Sequence, residues 1–197
     1  MKTVNIYDFD GTIYDGDSTI DFYLYCLKRN KRIIKYIPIQ GIYFILYKLK
    51  IKSKKEFKEK FFIFLNSIDN ISKYVDDFWK VSTKKIKTFY MKSEHDKDII
   101  ISASPYFLIS KIGKILKVYD VIATNVQSKG NISGNNCHGI EKVKRFKEKY
   151  PKVIIDKVYT DSLSDLPILE LGKKAYLVKK NDVTEYHQKG EKNGKSK

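Results

Sequence analysis

The sequence feature that most constrains the fold is a short β-rich run near the N-terminus that ends abruptly in two acids and a glycine. Thr3 to Tyr7 is rich in β-branched and aromatic residues, and Asp8, Asp10 and Gly11 follow within four positions. Acids and glycine stop a strand, so both carboxylates are predicted to lie at its carboxyl end. In open parallel sheets, ligands bind at that end of the strands. The pattern therefore predicts a ligand site beside Asp8 and Asp10.

The stretch from Asp17 to about Tyr90 has a different character, with apolar and aromatic residues repeating at three and four positions between lysine-rich connections. This spacing is typical of amphipathic helices that pack on one another. Further β-rich runs then alternate with helical patterns, beginning with Asp98 to Ser102 and a helix whose N-cap and first-turn proline are Ser104 and Pro105. We therefore predict an α/β fold with a Rossmann-like, doubly wound, mainly parallel sheet and a helical insertion.

The chain is predicted to divide into three parts. Residues 1–16 and 91–188 form the α/β core, and residues 17–90 form the helical insertion. Residues 189–197 contain no apolar side chain and are predicted to be a disordered tail.

The net charge of +16 comes almost entirely from lysine, because Arg29, Arg32 and Arg145 are the only arginines. Scattered lysines give a diffuse positive field, whereas proteins that recognise nucleic-acid bases favour arginine, whose guanidinium group forms two parallel hydrogen bonds. Solvated lysine-rich faces are the first interpretation, and attraction to anionic substrates or an anionic membrane is the second. No nucleic-acid-binding motif accompanies the charge, so no nucleic-acid partner is expected.

Location in the cytoplasm is predicted from the cysteines and from the N-terminus. Cys26 and Cys137 lie far apart and outside any CxxC pair, as in a reducing compartment. The N-terminus has no signal-peptide pattern, so the mature chain is expected to begin near Met1. The most apolar stretch, Ile33 to Leu49, is too interrupted to span a bilayer and is expected to form a buried or interfacial helix.

The acidic pair suggests phosphoryl chemistry, in which one carboxylate attacks phosphorus while the other gives and takes a proton. Three further signals follow in order: Ser102 at the end of an apolar strand, Lys142 opening a helix, and Asp161 with Asp165 after a later strand. Together, DFDGT, SASP, NCHGIEKVKRF and YTDSLSDLPIL resemble the four motifs of the haloacid dehalogenase superfamily. The resemblance is to subfamily IB, the phosphoserine-phosphatase-like group, whose members carry a helical cap between the first two motifs.

This resemblance implies a phosphatase and a role for each matching residue. Asp8 would be the nucleophile that forms an aspartyl-phosphate, Asp10 the general acid and base, and Lys142 a catalytic and phosphate-binding cation. Mg²⁺ would be held by Asp8, the main-chain carbonyl of Asp10, Asp161 and Asp165, the last of which could instead hold Lys142. The other phosphate-binding residues would be Gly11, Thr12, Ser102 and Ala103. Ser104 competes with Ser102 for that role, but its position before Pro105 is already explained by helix capping.

Several functions compete on the sequence. Dehalogenases of the superfamily lack the second acid, so Asp10 favours phosphoryl chemistry, with a phosphotransferase or mutase left open. Phosphoserine is disfavoured because Asp17 replaces a family glutamate. The bacterial phosphatidylglycerophosphate phosphatase C group has a similar motif set, which implies a phosphorylated substrate with an apolar or lipid part and peripheral contact with the inner membrane face. From a different class, the chain would be a catalytically idle module on anionic membranes.

Overall fold

The computed structural model describes residues 3–92 and 95–187, and its centre is a seven-stranded, mainly parallel sheet. The strand order is β4-β3-β2-β1-β5-β6-β7, so β1 is the central strand and pairs in parallel with both β2 and β5. The edge strands β4 and β7 pair in antiparallel fashion with β3 and β6. The strands are β1 (Thr3–Tyr7), β2 (Asp98–Pro105), β3 (Asp120–Val126), β4 (Ile132–Ser133), β5 (Ile154–Thr160), β6 (Lys174–Lys179) and β7 (Asp182–Glu185).

Among the described residues, five helices lie between β1 and β2, which is where the sequence predicts a helical insertion. They are α1 (Ser18–Arg29), α2 (Ile37–Lys48), α3 (Lys54–Phe61), α4 (Ile71–Ser82) and α5 (Thr88–Met91). Short 3₁₀ turns at Lys31–Tyr36, Phe62–Ser67 and Thr83–Lys85 connect them. The remaining helices are α6 (Tyr106–Ile115), α7 (Ile140–Lys149) and α8 (Leu166–Leu169). The predicted α/β class with a mainly parallel sheet is confirmed, and the predicted tail of residues 189–197 lies outside the described residues.

Two hydrophobic clusters cover the two faces of the sheet, because successive strand residues point to opposite sides. Ile99 and Ile101 of β2 contribute to one cluster, together with α7 and α8, whereas Ile100 contributes to the other. The second cluster continues into the insertion and contains Trp79, whose indole N–H donates to the Leu108 carbonyl of α6 at 2.9 Å. The helices of the insertion therefore share a core with the sheet that they cover.

The described helices include none that is long and apolar enough to cross a bilayer. The carboxyl ends of the neighbouring strands β2, β1 and β5 lie side by side, at the same end of the sheet. Asp8 and Asp161 directly follow β1 and β5, and Ser102 lies within β2, three residues before its end at Pro105, so the topology brings three of the predicted motifs close together.

Candidate active site

The loop after β1 is fixed by close backbone contacts. The Asp8 amide donates to the Tyr159 carbonyl at 2.9 Å, and the Gly11 amide lies 2.9 Å from the carbonyl of Tyr14. Gly11 has a φ of +76°, and a Cβ at this position would overlap the carboxylate of Asp161. Only glycine fits both the backbone conformation and this close approach. The loop and Asp161 are therefore in direct contact.

A buried lysine joins Asp8 to Asp165. Lys142 lies in the first turn of α7, and its ammonium donates to Asp8 Oδ1 at 2.8 Å and to Asp165 Oδ2 at 2.5 Å. Burial raises the pKa of Asp8 to about 7, although the charge of Lys142 opposes the shift. Burial alone would lower the pKa of Lys142, but the two carboxylates outweigh it and hold that pKa above its usual range. Lys142 therefore stays charged beside Asp8.

Asp10 is held on the opposite side of the loop, at the N-terminus of α1. Its Oδ1 accepts from the Ser18 amide at 2.6 Å, and its Oδ2 accepts from the hydroxyl of Ser104 at 2.5 Å. The Ser104 hydroxyl is in turn 2.8 Å from that of Thr19. Burial raises the pKa of Asp10, and the negative charge of Asp17 adds to the shift. The two aspartates thus have different partners, and the lysine contacts only the first.

The predicted capping role of Ser104 is wrong. β2 continues to Pro105, α6 begins at Tyr106, and no side chain caps that helix. The hydroxyl of Ser104 is bound to Asp10 instead, and Ser104 lines the cavity described below. Ser102 is fully buried, and its hydroxyl oxygen accepts from the Ser104 amide at 3.0 Å, which leaves its own proton to donate. The capping argument for choosing Ser102 over Ser104 therefore no longer holds.

A cavity of about 340 Å³ lies between the carboxyl ends of the strands and the insertion. Its floor contains Asp8, Asp10, Lys142, Asp161 and Asp165, and Ala103 and Ser104 lie at its side. Of the other predicted phosphate ligands, Thr12 is fully buried, and its hydroxyl has no hydrogen-bond partner among the described residues. The structure thus gathers the acids and the lysine around a single space.

The opposite wall of the cavity was not predicted from the sequence. It comes mainly from α3, where Lys54, Phe57, Lys58 and Phe61 follow the i, i+3, i+4, i+7 spacing of one helix face. Burial lowers the pKa of Lys58 to about 8, and the nearby charge of Lys54 acts in the same direction. His138, in the loop before α7, also lines the cavity. The helical spacing of Lys54, Phe57, Lys58 and Phe61 was the one sequence signal that could have placed them on a common face.

The oxygen atoms on the cavity floor fit a hard cation such as Mg²⁺. Asp161 lies against Gly11, and Asp165 Oδ1 is buried without a hydrogen-bond partner in the described part of the chain. Within residues 3–92 and 95–187, no three acidic, histidine or cysteine side chains form a ready metal-binding group. If Asp165 holds Lys142, the predicted set needs only the side chains of Asp8 and Asp161, because Asp10 contributes its main-chain carbonyl and Mg²⁺ usually keeps several waters and a substrate phosphate.

Comparison with known proteins defines the class to which this fold and site belong. Residues 6–170 match the haloacid dehalogenase-like hydrolase family, so the chain belongs to that family. This confirms the predicted superfamily and the predicted hydrolase class. No curated protein matches the sequence.

Solved structures share the fold at low sequence identity. A protein of unknown function from Bordetella pertussis Tohama I has a TM-score of 0.71 and 16% identity, with 89% of each chain covered. A phosphoserine phosphohydrolase-like protein from Francisella tularensis has a TM-score of 0.51 and 16% identity over 89% of this chain and 86% of the other. A probable phosphoserine phosphatase from Vibrio cholerae has a TM-score of 0.57 and 11% identity over 88% of this chain and 55% of the other.

Proposed function

We propose that the protein is a Mg²⁺-dependent phosphatase that hydrolyses a phosphate monoester through an aspartyl-phosphate on Asp8. The observation that carries this proposal is that Lys142 contacts Asp8 and Asp165 while Asp10, bound to Ser104, opens into the same cavity. Two of the solved structures with this fold are described as phosphoserine phosphatase-like proteins, which agrees with the proposal. In this reading the insertion, residues 17–90, is the cap over the core.

The first half-reaction uses Asp8 as the nucleophile. Its Oδ1 is held by Lys142, whereas its Oδ2 forms no hydrogen bond within the described residues and is free to attack phosphorus. A bond forms between Asp8 and phosphorus, and the bond between phosphorus and the ester oxygen breaks. Asp10 donates its proton to the leaving oxygen, so the alcohol departs neutral.

The second half-reaction regenerates the enzyme. Asp10, now deprotonated, takes a proton from a water molecule whose oxygen attacks the phosphorus. The bond between Asp8 and phosphorus breaks, and inorganic phosphate leaves. Lys142 stabilises the negative charge near Asp8 throughout, and we propose that Ala103 and Ser104, which line the cavity, bind phosphoryl oxygens, whereas the fully buried Ser102 does not line it.

The carboxylates of Asp8 and Asp161 and the main-chain carbonyl of Asp10 would hold Mg²⁺, with Asp165 beside them. When bound, Mg²⁺ supplies positive charge that reduces the repulsion between the Asp8 carboxylate and an anionic substrate.

Removal of the metal tests this proposal directly. Hydrolysis of p-nitrophenyl phosphate should vanish in excess chelator and return when Mg²⁺ is added. Asp161→Ala should raise the Mg²⁺ concentration needed for half-maximal activity by about tenfold or more, because it removes a direct ligand. The matched control is Asp182→Ala, which removes an exposed acid on β7 and should leave the metal requirement unchanged. Full activity in excess chelator would contradict the proposal.

The wall of the cavity opposite the catalytic residues favours a substrate with an apolar part. Ile20, Phe57, Phe61 and Phe62 line it beside Lys54 and Lys58, so a phosphate on the floor would place the rest of the molecule among aromatic rings and two ammonium groups. We propose that the physiological substrate is a phosphate monoester whose alcohol is apolar, including the phosphorylated headgroup of a lipid. Transfer of the phosphoryl group to a second alcohol is the competing reaction.

A series of monoalkyl phosphates tests this substrate class. We expect kcat/KM to rise with chain length, and Phe57→Ser to lower it about tenfold for the longest chain while changing the shortest little, because each buried methylene contributes about 0.8 kcal/mol. Tyr106→Ser, which removes an exposed aromatic residue that does not line the cavity, is the control. Assays of inorganic phosphate separate hydrolysis from transfer. Equal kcat/KM for all chain lengths would reject the apolar substrate.

We also infer a cytoplasmic enzyme from its two thiols. Cys26 and Cys137 are free and buried, as structural cysteines in a reducing compartment are. Burial raises the pKa of Cys26 to about 12 and that of Cys137 to about 11, which makes both thiols unreactive.

A further inference from the structure

Helix α2 is oriented with its apolar side toward solvent. Its one buried residue is Gln40, whereas Ile42, Phe44 and Ile45 are 52%, 46% and 58% exposed. A surface helix of a globular protein normally buries its apolar stripe and exposes its polar residues. We call the outward-facing residues of α2 and its flanking turns the outer face; they are Ile34, Ile37, Ile42, Phe44, Ile45, Leu49 and Ile51, each at least 44% exposed.

Specific hydrogen bonds hold the helix in this orientation. The Gln40 side chain accepts from the Tyr23 hydroxyl at 2.7 Å and donates to the Phe61 carbonyl at 2.8 Å. Rotation of α2 to bury its isoleucines would break both hydrogen bonds and expose Gln40 in exchange. A buried amide that loses its partners is costly, so these contacts favour the outward position of the apolar residues.

The sequence that carries the outer face is rich in basic residues. Between Asp21 and Glu56 the sequence contains ten basic residues and no acidic one. Lys35 lies before α2, and Lys48 and Lys50 lie at its end, all of them exposed. A contiguous apolar face bordered by lysines has the chemistry of a helix that lies in the interface of an anionic membrane.

We propose that the outer face of α2 binds an anionic lipid surface. Two copies of the chain would bring these lysines together at a net charge of +16 each, so charge disfavours a self-interface. The face also leads to the cavity, since the ring of Phe44 lies 5.6 Å from that of Phe57, which lines it. Only this last link, delivery of a membrane substrate, rests on the proposed function; the binding itself does not.

Vesicle sedimentation with the full chain tests the proposal. We expect binding to vesicles containing phosphatidylglycerol at low salt, little binding to pure phosphatidylcholine, and release at high salt. Ile42→Glu with Ile45→Glu should lower binding to the anionic vesicles about tenfold or more, because both isoleucines would otherwise leave water. The matched control is Val81→Glu with Ile115→Glu, two residues 50% and 48% exposed outside the outer face, which should bind as the parent does.

A second variant keeps the test decisive if the first one unfolds by circular dichroism. Lys48→Gln with Lys50→Gln should weaken anionic-vesicle binding about 25-fold, since each basic residue near such a surface contributes a factor of about five. No binding by the parent chain, equal binding to neutral vesicles, or equal losses in the control variant would overturn the proposal. So would a parent dimer that the glutamate variant converts to monomer. Hydrolysis of p-nitrophenyl phosphate without vesicles reports separately on the proposed function.

Discussion

Asp8→Asn is expected to lower kcat by roughly 10⁴-fold or more, because an amide cannot attack phosphorus and is a poor ligand for Mg²⁺. The change is nearly isosteric, and Asp8 lies in the loop directly after β1, so the variant should fold as the parent does. Acid-quenched reactions with a ³²P-labelled monoester should give a labelled parent protein and an unlabelled variant. The phosphorylated residue should be Asp8.

Two companion variants separate the chemical role of Asp8 from a general effect on the loop. Asp10→Asn should still become labelled but should release phosphate very slowly, because the water then lacks its base. Asp15→Asn, at an exposed acid of the same loop, should keep near-parental activity. Near-parental turnover by Asp8→Asn, in a preparation free of contaminating phosphatase, would rule out Asp8 as the nucleophile.

Lys142→Met is expected to damage both activity and stability. Its ammonium is the shared partner of Asp8 and Asp165, and the side chain is 3% exposed. Removal of one partner leaves uncompensated buried charge, which typically costs about 3–5 kcal/mol of the free energy of unfolding. Urea denaturation should therefore show a clearly lower midpoint. Turnover should fall as well, since the charge beside the nucleophile is lost.

The control for this prediction is Lys144→Met, on the same helix. Its side chain is 61% exposed and its ammonium lies 4.0 Å from Glu148, so its loss should change stability little. Adding Asp165→Asn to Lys142→Met should restore part of the lost stability, because it removes one of the two stranded carboxylates. Equal urea midpoints for the parent and Lys142→Met would show that the buried pairs contribute no net stability.

Much of the fold could be predicted because local patterns and tertiary structure agree. The β-rich run before Asp8 is β1, and the helical periodicity after Asp17 corresponds to the five helices before β2. β7 has no sequence signal, because Asp182–Glu185 is a four-residue edge strand whose residues are all exposed and show no alternating apolar pattern. The prediction that Ser104 caps α6 is wrong because it used only neighbouring residues. The Ser104 hydroxyl instead donates to Asp10, which is far away in the sequence.

The α3 wall of the cavity and the outer face of α2 could not be predicted, because both depend on how helices pack in three dimensions. Lys54 and Lys58 resemble ordinary solvent-exposed lysines in the sequence, and only the placement of α3 brings them to the cavity. For α2, apolar content left a buried and an interfacial helix equally open. The inward position of Gln40 keeps the apolar residues outward, and it depends on Tyr23 and the Phe61 carbonyl, which belong to other elements.

Helices α3 and α4 of the insertion are attached to the rest of the molecule by different kinds of contact. Trp79 of α4 is fully buried within the shared aromatic core. α3 instead reaches across the cavity with polar groups: Lys58 donates to the Ala103 carbonyl and to Asn136, Lys55 donates to the Gly134 carbonyl, and Glu59 accepts from the Ile132 amide.

Widening the cavity on the α3 side exchanges these hydrogen bonds for bonds to water, at a net cost of about 0.5–1.5 kcal/mol each. Moving α4 would expose large aromatic surface, which costs far more per residue. The hydrogen bonds that join α3 to the core are therefore expected to break at a lower cost than the aromatic packing of α4.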